Sequence, residues 1–458
     1  MSQTLQMVVW IFAIAVGAGV AWQWGRSVVG WLGAYVSPPL RIILSLLIGL
    51  LLGIALAKWA PDAGAFMLLF TKRIGGAWLH GLQMVIVPLV VALLVIGIAA
   101  SAEAARAGKI AARALGAFVV ILWVNTLLSA FLTPLLLKLF PLPAEWGDAL
   151  RASLSGAKAA GQIPSLGDFF DKIVPTNIVD AAATDSFLPL TVFAMVFAFA
   201  ITRLETKRRK TLIDFFQAIA DAMVVVIGWV LVLAPLGVFC LAFGLGMETG
   251  AAAFGALAHY IAIVSTLGIL VLLSAYPLAA IGARVGIGRF AKAVLPSQVV
   301  AISTSSSLAS LPAMLKSSEA LGAPASVSGV VLPIAVAVFR ATSPAMNLAV
   351  ALYVAHLTGT PIGPGQLAAG IATAAITTMG SVSLPGTISF FASVAPVAVA
   401  MGVPIEALGL LVAVETVPDL FRTVGNVTMD VAVTATISAR SGGGTEGETD
   451  RALDEVPG

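Results

Sequence analysis

The sequence predicts an all-α polytopic membrane protein. Of its 458 residues, 59% are hydrophobic and only 10% are charged, whereas soluble domains carry about 25% charged residues. Apolar runs of membrane-spanning length recur along the chain, and polar residues at helical spacing interrupt the last of them. This composition excludes a soluble domain, and a net charge of +3 gives no sign of a basic nucleic-acid-binding surface.

Nine apolar segments are predicted to span the membrane: 7–24, 40–58, 65–101, 110–138, 186–203, 212–246, 255–283, 325–356 and 405–437. Segment 65–101 exceeds one perpendicular span, so we expect a tilt or a kink, with Pro88 as its position. The first segment has no basic residues before it and no clear cleavage site, which predicts a retained helix rather than a removed signal. The Gly-rich, charged tail is expected to be disordered and cytoplasmic.

Basic residues set the orientation of these spans. They cluster in three connections that alternation of the spans places on one side: Arg106, Lys109 and Arg113; Arg203, Lys207, Arg208, Arg209 and Lys210; Arg284, Arg289 and Lys292. The positive-inside rule makes that side cytoplasmic. The chain is therefore expected to start outside, with loop 139–185 also outside, in what we expect to be a bacterial inner membrane.

Two segments rich in Ser, Gly and Pro, 290–318 and 363–401, repeat each other. Ser-Leu-Pro occurs at 310–312 and at 383–385, after small hydroxyl residues, and a predicted span follows each. The first segment enters from inside and the second from outside, which is typical of inverted repeats built from a re-entrant hairpin and a helix. The two tips are then expected to meet near the midplane. Alternatively, Ser and Gly only allow close helix packing.

The helix between these segments is also predicted to be interrupted. Pro344 removes a backbone donor, and Asn347 follows it closely. Freed carbonyls around 343–347, with the Asn347 amide oxygen, are suited to ligate a cation. A simple proline kink is the alternative.

The last predicted span carries a polar stripe. Asp419, Arg422, Thr423, Asn426 and Asp430 lie at offsets 0, 3, 4, 7 and 11, which places them on one helix face. Ionisable groups in a membrane helix usually line a binding site or an ion path, so the stripe indicates a site for a charged solute and a cation. Two alternatives to a binding site remain open. In one, Asp419 and Arg422 only neutralise each other; in the other, Asp430 is a structural acid.

These segments resemble the dicarboxylate/amino acid:cation symporter family, the glutamate transporter homologues, over about residues 40–439. The motifs that carry the resemblance are VPTNIVDAAATDSFLPLTVFAMVFAFAI at 174–201, SSSLASLP at 305–312, MGSVSLPG at 379–386 and, most specific, DLFRTVGNVTMD at 419–430. The resemblance implies a homotrimer in which a transport core slides like an elevator against a fixed scaffold. It also implies that the helix predicted before residue 39 is additional to the family core.

For the substrate, the resemblance implies a role for each matched position. Asp419 would take an amino group, and Arg422 would pair with a side-chain carboxylate, for which its planar fork is suited. Thr423 and Asn426 would bind the backbone part of the substrate. The α-carboxylate would lie against three hairpin serines, Ser305, Ser306 and Ser307.

For cations, the resemblance implies two sites. Asn347, Asn426 and Asp430 would hold one cation, and Thr378 and Ser381 in the second hairpin would lie at another and form part of the outer gate. The coupling ion would be Na⁺ or H⁺.

The chain departs from the family pattern in the interrupted helix. Where the family has Asn-Met-Asp-Gly-Thr, residues 347–351 read Asn-Leu-Ala-Val-Ala, so Ala349 replaces a carboxylate. We expect the cation site that used this acid to be empty, although Asn125 and Thr126 stand where its neighbouring ligands would.

The same region introduces Arg340, which is predicted to lie within the bilayer. We interpret it as replacing the charge of one cation, or as pairing with Glu415 or Asp430. An arginine that snorkels to the cytoplasmic rim is the alternative. Glu415 lies near the outer end of its helix and is expected to be solvated.

The predicted function is secondary active transport: cation-coupled symport of acidic amino acids or dicarboxylates, without a cofactor. A passive anion or solute channel on the same fold is the alternative. Enzyme chemistry is not predicted, because the hairpin serines have no adjacent base, and one cysteine with three scattered histidines makes no metal cluster. Expected partners are a small acidic substrate, membrane lipid and two further copies of the chain, with no nucleic acid.

The predicted organisation has four parts. Residues 1–38 form an extra helix and linker, and 39–285 form the scaffold together with peripheral helices of the moving unit. Residues 286–438 form the transport core, and 439–458 form the tail.

Overall fold

The computed structural model describes residues 38–106, 108–143, 174–184, 187–250, 252–380 and 386–441, and these residues form helices and connections without a strand. The predicted N-terminal helix, most of loop 139–185 and the tail beyond residue 441 lie outside this part of the chain. The first eight helices are α1 (Pro38–Trp59), α2 (Pro61–Gln83), α3 (Ile86–Arg106), α4 (Lys109–Leu139), α5 (Ile178–Ala183), α6 (Phe187–Thr202), α7 (Thr206–Val232) and α8 (Ala234–Thr249).

Nine further helices follow in the described part of the chain. They are α9 (Ala252–Gly282), α10 (Ile287–Thr304), α11 (Leu311–Ala320), α12 (Ala325–Val338), α13 (Ser343–Thr358), α14 (Pro364–Gly380), α15 (Gly386–Ala400), α16 (Glu406–Leu411) and α17 (Thr416–Arg440). Six helical segments are long and apolar enough to cross a membrane: Leu40–Trp59, Pro61–Ala102, Lys109–Leu139, Thr206–Val232, Phe254–Gly282 and Ala325–Thr358. The all-α polytopic class is confirmed.

Several predicted spans are divided in two by the structure. Segment 65–101 breaks at residues 84–85, between α2 and α3, three residues before the expected position at Pro88. Pro88 lies in the first turn of α3, where its missing N–H has no intrahelical partner to lose. Segment 212–246 was predicted as one span but forms α7 and α8. Pro235 in the first turn of α8 is the residue that ends the continuous helix.

The helices α1, α2 and α8 form one tightly packed group. Gly49 and Gly53 of α1 lie against the backbone of α8, and Gly246 of α8 lies against the backbone of α1. A Cβ atom at any of these positions would overlap the backbone of the partner helix. Small residues allow this close approach. The resulting van der Waals packing holds the helices together in a membrane, where no hydrophobic driving force acts between them.

The second group is built around α9 and α17, which pack along each other, with α4 packed against α13. The helices α10 and α11 form a pair that we call hairpin 1 (287–320), and α14 and α15 form hairpin 2 (364–400). The Oγ atoms of Ser297 and Ser317 lie 2.7 Å apart and join the two arms of hairpin 1. Both helix pairs are present as predicted, while their re-entrant insertion into the membrane stays a prediction.

The two hairpins have different surroundings. Both arms of hairpin 2 pack against α3 and α6, whereas hairpin 1 packs mainly on α9, α12 and α17. Along α10, Leu295, Val299 and Ile302 are each more than half exposed. Their offsets of 0, 4 and 7 put them on one face, so hairpin 1 has a bare apolar surface.

We expect Gly53→Ala to destabilise the protein by about 1–3 kcal/mol, because a methyl group at this position meets the backbone of α8. Gly76→Ala on α2 is the matched control, since a Cβ atom there meets nothing within 4 Å. That control is expected to be neutral or to stabilise by about 0.5–1 kcal/mol. The melting temperatures of the two purified variants in detergent measure the difference. Equal values would contradict the tight α1–α8 contact.

Candidate functional site

The polar stripe of α17 faces the interior of the second helix group. Arg422, Thr423, Asn426 and Asp430 are all buried, and Asp419 is the most accessible of the five residues. Their common orientation follows from helical spacing, as the sequence predicted. Helix α17 is absent from the six membrane-capable segments, although it is among the most buried helices of the described chain.

Every nitrogen of the Arg422 guanidinium has an acidic or amide oxygen near it. Nη2 donates to Glu415 Oε1 at 2.6 Å, and Nη1 donates to Asn347 Oδ1 at 2.7 Å. Nε lies 3.5 Å from Asp419 Oδ1, which is a longer contact. Acidic side chains of the protein itself therefore balance the charge of Arg422, chiefly Glu415 and only in part Asp419.

Glu415 is a site residue that the sequence reading missed. It was expected to be solvated, but only 3% of its surface is exposed. The turn at 412–415 between α16 and α17 directs it inward, where the Tyr260 hydroxyl donates to Oε2 at 3.1 Å. A signal was present, because Glu415 lies seven residues before Arg422, about two helical turns, and so shares its face.

The predicted interruption is present between α12 and α13, but its position differs from the expected one. The non-helical residues are 339–342, whereas 343–347 form the first turns of α13. Pro344 lies at the start of α13, where its missing N–H costs nothing. The expectation of freed carbonyls at 343–347 is therefore wrong.

Side chains from neighbouring helices hold the interrupted backbone. Asn125 Nδ2 donates to the Ala341 carbonyl at 2.9 Å, and Ser129 donates to the Ala345 carbonyl at 2.6 Å. On the other side, the Thr342 N–H and hydroxyl lie 2.9 and 2.7 Å from Asn426 Oδ1. The segment is thus tied to α4 and α17, and Asn125 serves the backbone in this arrangement.

The residues predicted to bind a cation are only partly available. Asn426 Oδ1 accepts from Thr342, and Asn347 Oδ1 accepts from Arg422 and, at 3.4 Å, from Ser393 of hairpin 2. Asp430 is fully buried, and neither of its oxygens has a hydrogen-bond partner among the described residues. Of the three predicted ligands, Asp430 is the one with open coordination capacity.

Arg340 is the charged residue that interacts electrostatically with Asp430, and it also interacts with Asp419. Its suggested pairing with Glu415 is not what the structure favours, since that carboxylate lies on Arg422 and Tyr260. The suggested pairing with Asp430 stays a prediction, since Arg340 interacts electrostatically with both Asp419 and Asp430.

Ser306 and Thr378, two of the predicted hairpin residues, each make a hydrogen bond within their own hairpin. Ser305 is exposed and ends α10 with a left-handed backbone at φ 48°. The Ser306 hydroxyl accepts from the Ala309 N–H at 3.2 Å, and Ser307 is half-buried. Thr378 is buried and donates to the Ala374 carbonyl, and Ser381 lies outside the described residues. Their proposed contacts with substrate or cation stay predictions.

Buried charges between the last helix and an interrupted helix of a polytopic membrane protein are typical of a transporter. The chain belongs to the sodium:dicarboxylate symporter family, whose model matches residues 39–440. The resemblance drawn from the motifs is confirmed, and with it the class: a multi-pass cell-membrane protein that is a cation-coupled symporter and not an enzyme.

Relatives cover most of the chain at low identity. It is similar to the proton/glutamate-aspartate symporter of Escherichia coli (strain K12), at 27% identity over 394 residues, which is 84% of this chain and 89% of the relative. A C4-dicarboxylate transport protein of Janthinobacterium sp. (strain Marseille) is 27% identical over 392 residues, with coverages of 83% and 84%. The proton/sodium-glutamate symport protein of Bacillus subtilis (strain 168) is 25% identical over 407 residues, with coverages of 88% and 92%.

We expect Arg422→Gln to destabilise the protein by about 3–5 kcal/mol, because it leaves the Glu415 carboxylate buried without its cationic partner. Adding Glu415→Gln should recover at least half of the loss in melting temperature, since the buried pair is then neutral on both sides. A control is Lys72→Gln, which breaks the exposed Lys72–Glu248 pair and should cost less than about 1 kcal/mol. Additive losses in the double variant would argue against coupling between Arg422 and Glu415.

Proposed function

We propose that this protein transports acidic amino acids, such as glutamate or aspartate, or C4-dicarboxylates across the bacterial cytoplasmic membrane, in symport with Na⁺ or H⁺. The observation that carries the proposal is the fully engaged Arg422 guanidinium at the centre of a buried site. A guanidinium in such a place requires an anionic partner. Glu415 fills that role in this structure, and the same fork would accept a substrate carboxylate. The relatives with glutamate and C4-dicarboxylate names support the same chemistry.

Asp419 favours an amino acid over a plain dicarboxylate. Its carboxylate is only 3.5 Å from Arg422 Nε and is the least buried acid of the site. An ammonium group can therefore reach it without breaking a short ion pair. In this proposal Arg422 binds the distal carboxylate, Thr423 and Asn426 bind the substrate backbone, and the serines of hairpin 1, Ser305, Ser306 and Ser307, close over the α-carboxylate.

The coupling cation is proposed to bind at Asp430, whose two oxygens have no hydrogen-bond donor among the described residues. Asn347 and Asn426 would complete the site after a shift of their present partners, and Thr378 and Ser381 of hairpin 2 would form the second site. Arg340 supplies a fixed positive charge near Asp430, and Ala349 stands where the family pattern has an acid. Both differences support fewer bound cations than the full family pattern would need.

The mechanism is proposed to be of the elevator type, in a homotrimer. The moving unit would be residues 286–438 with α4 and α9, which pack against α13 and α17. Helices α1–α3 and α6–α8 would form the fixed scaffold. The different surroundings of the hairpins support this motion: hairpin 2 lies on α3 and α6, while hairpin 1 presents Leu295, Val299 and Ile302 uncovered. Sliding of the core would exchange one hairpin for the other on the same scaffold surface.

Uptake of radiolabelled glutamate, aspartate and C4-dicarboxylates into proteoliposomes, under separate sodium and proton gradients, tests the proposal. We expect gradient-driven accumulation by the wild type. In a Glu415→Gln background, Arg422→Gln should lower the uptake efficiency for every acidic solute by about 100-fold, the equivalent of two charge-assisted hydrogen bonds.

Two further arms sharpen this experiment. Asp419→Asn is expected to weaken amino acid uptake and to spare dicarboxylates, because only the former carry an ammonium group. Saturable accumulation against the solute gradient separates a symporter from a passive channel. Wild-type affinity in the Arg422 variant, or flux that only equilibrates the solute, would overturn the proposal.

We expect Val299→Asp to block transport while leaving substrate binding intact, because a carboxylate is tolerated on a bare face but not in a packed apolar interface. Uptake should fall at least about tenfold. Val299→Leu, which keeps the surface apolar, is the matched control and should transport normally. Tryptophan fluorescence titration of binding and proteoliposome uptake measure the two properties. Normal uptake by Val299→Asp would show that this face never docks.

A further inference from the structure

The site holds a carboxylate of the protein itself, Glu415, where the proposed function places the carboxylate of the substrate. Glu415 Oε1 accepts from Arg422 Nη2 at 2.6 Å, the shortest contact that the guanidinium makes. The inference that follows rests on the proposed function, because it starts from a substrate carboxylate that binds Arg422.

The charge balance of the site does not allow three ionised carboxylates around Arg422. Glu415 and Asp419 already face one guanidinium, and an acidic substrate adds another carboxylate. Glu415 is 3% exposed, so water cannot solvate it after displacement. Leaving an ionised acid buried without its partner costs several kcal/mol.

We propose that Glu415 is the proton carrier of this transporter. In the empty protein its carboxylate neutralises Arg422. When a substrate carboxylate takes the Nη2 position, Glu415 takes up one proton from the outer solution, forming an O–H bond. The substrate stays ionised on Arg422. On the inner side this O–H bond breaks and the proton leaves to water, and the recovered carboxylate returns to Arg422 and displaces the substrate. One proton therefore travels with each substrate molecule.

The groups around Glu415 suit both of its protonation states. Arg422 and Asp419 face it from α17, and Tyr260 faces it from α9. The Tyr260 hydroxyl lies 3.1 Å from Oε2 and remains a hydrogen-bond partner when Arg422 is lost, so protonated Glu415 is not left unsatisfied. Tyr353 of α13 contacts the Tyr260 ring edge-to-face, at 5.3 Å between centroids.

The other two acids are less suited to this role. Asp419 is more accessible and makes the longer contact with Arg422, so it can remain ionised and receive the substrate ammonium. Asp430 interacts electrostatically with Arg340, which also acts on Asp419, and it is not one of the acids that contact the Arg422 guanidinium. Of the three acids, Glu415 is the one bound to Arg422 Nη2, the group that the substrate carboxylate is proposed to bind.

The test compares three measurements on proteoliposomes: substrate exchange at equal pH, uptake driven by a pH gradient, and substrate-dependent proton flux reported by a trapped pH dye. We expect Glu415→Gln to keep a reduced but measurable exchange that no longer depends on pH. Its proton flux should fall to background, and the acceleration by a pH gradient should fall at least tenfold. Glu415→Asp should restore the proton flux in part.

Two further variants keep the test decisive. Glu406→Gln removes an exposed acid of the same region and should match the wild type in all three measurements. Tyr260→Phe retains the ion pair but removes the hydroxyl that stabilises the ionised acid, so the pH of half-maximal uptake should move to a more alkaline value. This variant and Glu415→Asp carry the test if Glu415→Gln does not fold.

The possible outcomes separate the inference from the proposed function. Wild-type proton flux and pH dependence in Glu415→Gln would overturn the inference, as would an unchanged pH profile in both Tyr260→Phe and Glu415→Asp. Wild-type uptake of acidic solutes without proton flux would also overturn it, while leaving the proposed function standing. Failure of the wild type to bind or exchange any acidic solute would instead overturn the proposed function, and the inference with it.

Discussion

The structure of the second helix group depends on one buried guanidinium. A cation in a low-dielectric interior must be matched by oxygen atoms at short distance, because desolvation otherwise exceeds any gain. Glu415 supplies the matching charge to Arg422, and Asn347 supplies a neutral acceptor. The turn before α17 and the interruption before α13 are the local features that bring these two partners to the same point.

The interruption at 339–342 is the second constraint. Backbone groups that leave a helix inside a membrane must find other partners, and here they find them on two different helices. Asn125 of α4 binds the Ala341 carbonyl and Asn426 of α17 binds the N–H of Thr342, while Ser129 of α4 binds the Ala345 carbonyl in the first turn of α13. These bonds tie α4, α13 and α17 to one another beside the site. Hairpin 2 lies between α13 on one side and α3 and α6 on the other.

Much of this architecture could be predicted from the sequence, because hydropathy and helical periodicity are local properties. The apolar runs indicated the class, the spacing of Asp419, Arg422 and Asp430 indicated their common face, and the repeated Ser-Leu-Pro motifs indicated two equivalent hairpins. Local sequence patterns were less reliable for the positions at which helices end and begin. Pro88 was expected to mark a kink and Pro344 an interruption, but both lie in the first turns of new helices, since proline is compatible with a helix start.

The sequence by itself determined that charges lie buried on one face of the last helix, and that the chain is a transporter of its family. Only the tertiary structure decided which groups meet there. Arg422 bonds to Asn347, 75 residues away, and Glu415 bonds to Tyr260, 155 residues away, and no local pattern encodes such pairs. Burial of Glu415 depends on how α9 packs against α17, and its pairing with Arg422 follows because a buried acid must find the nearest donor.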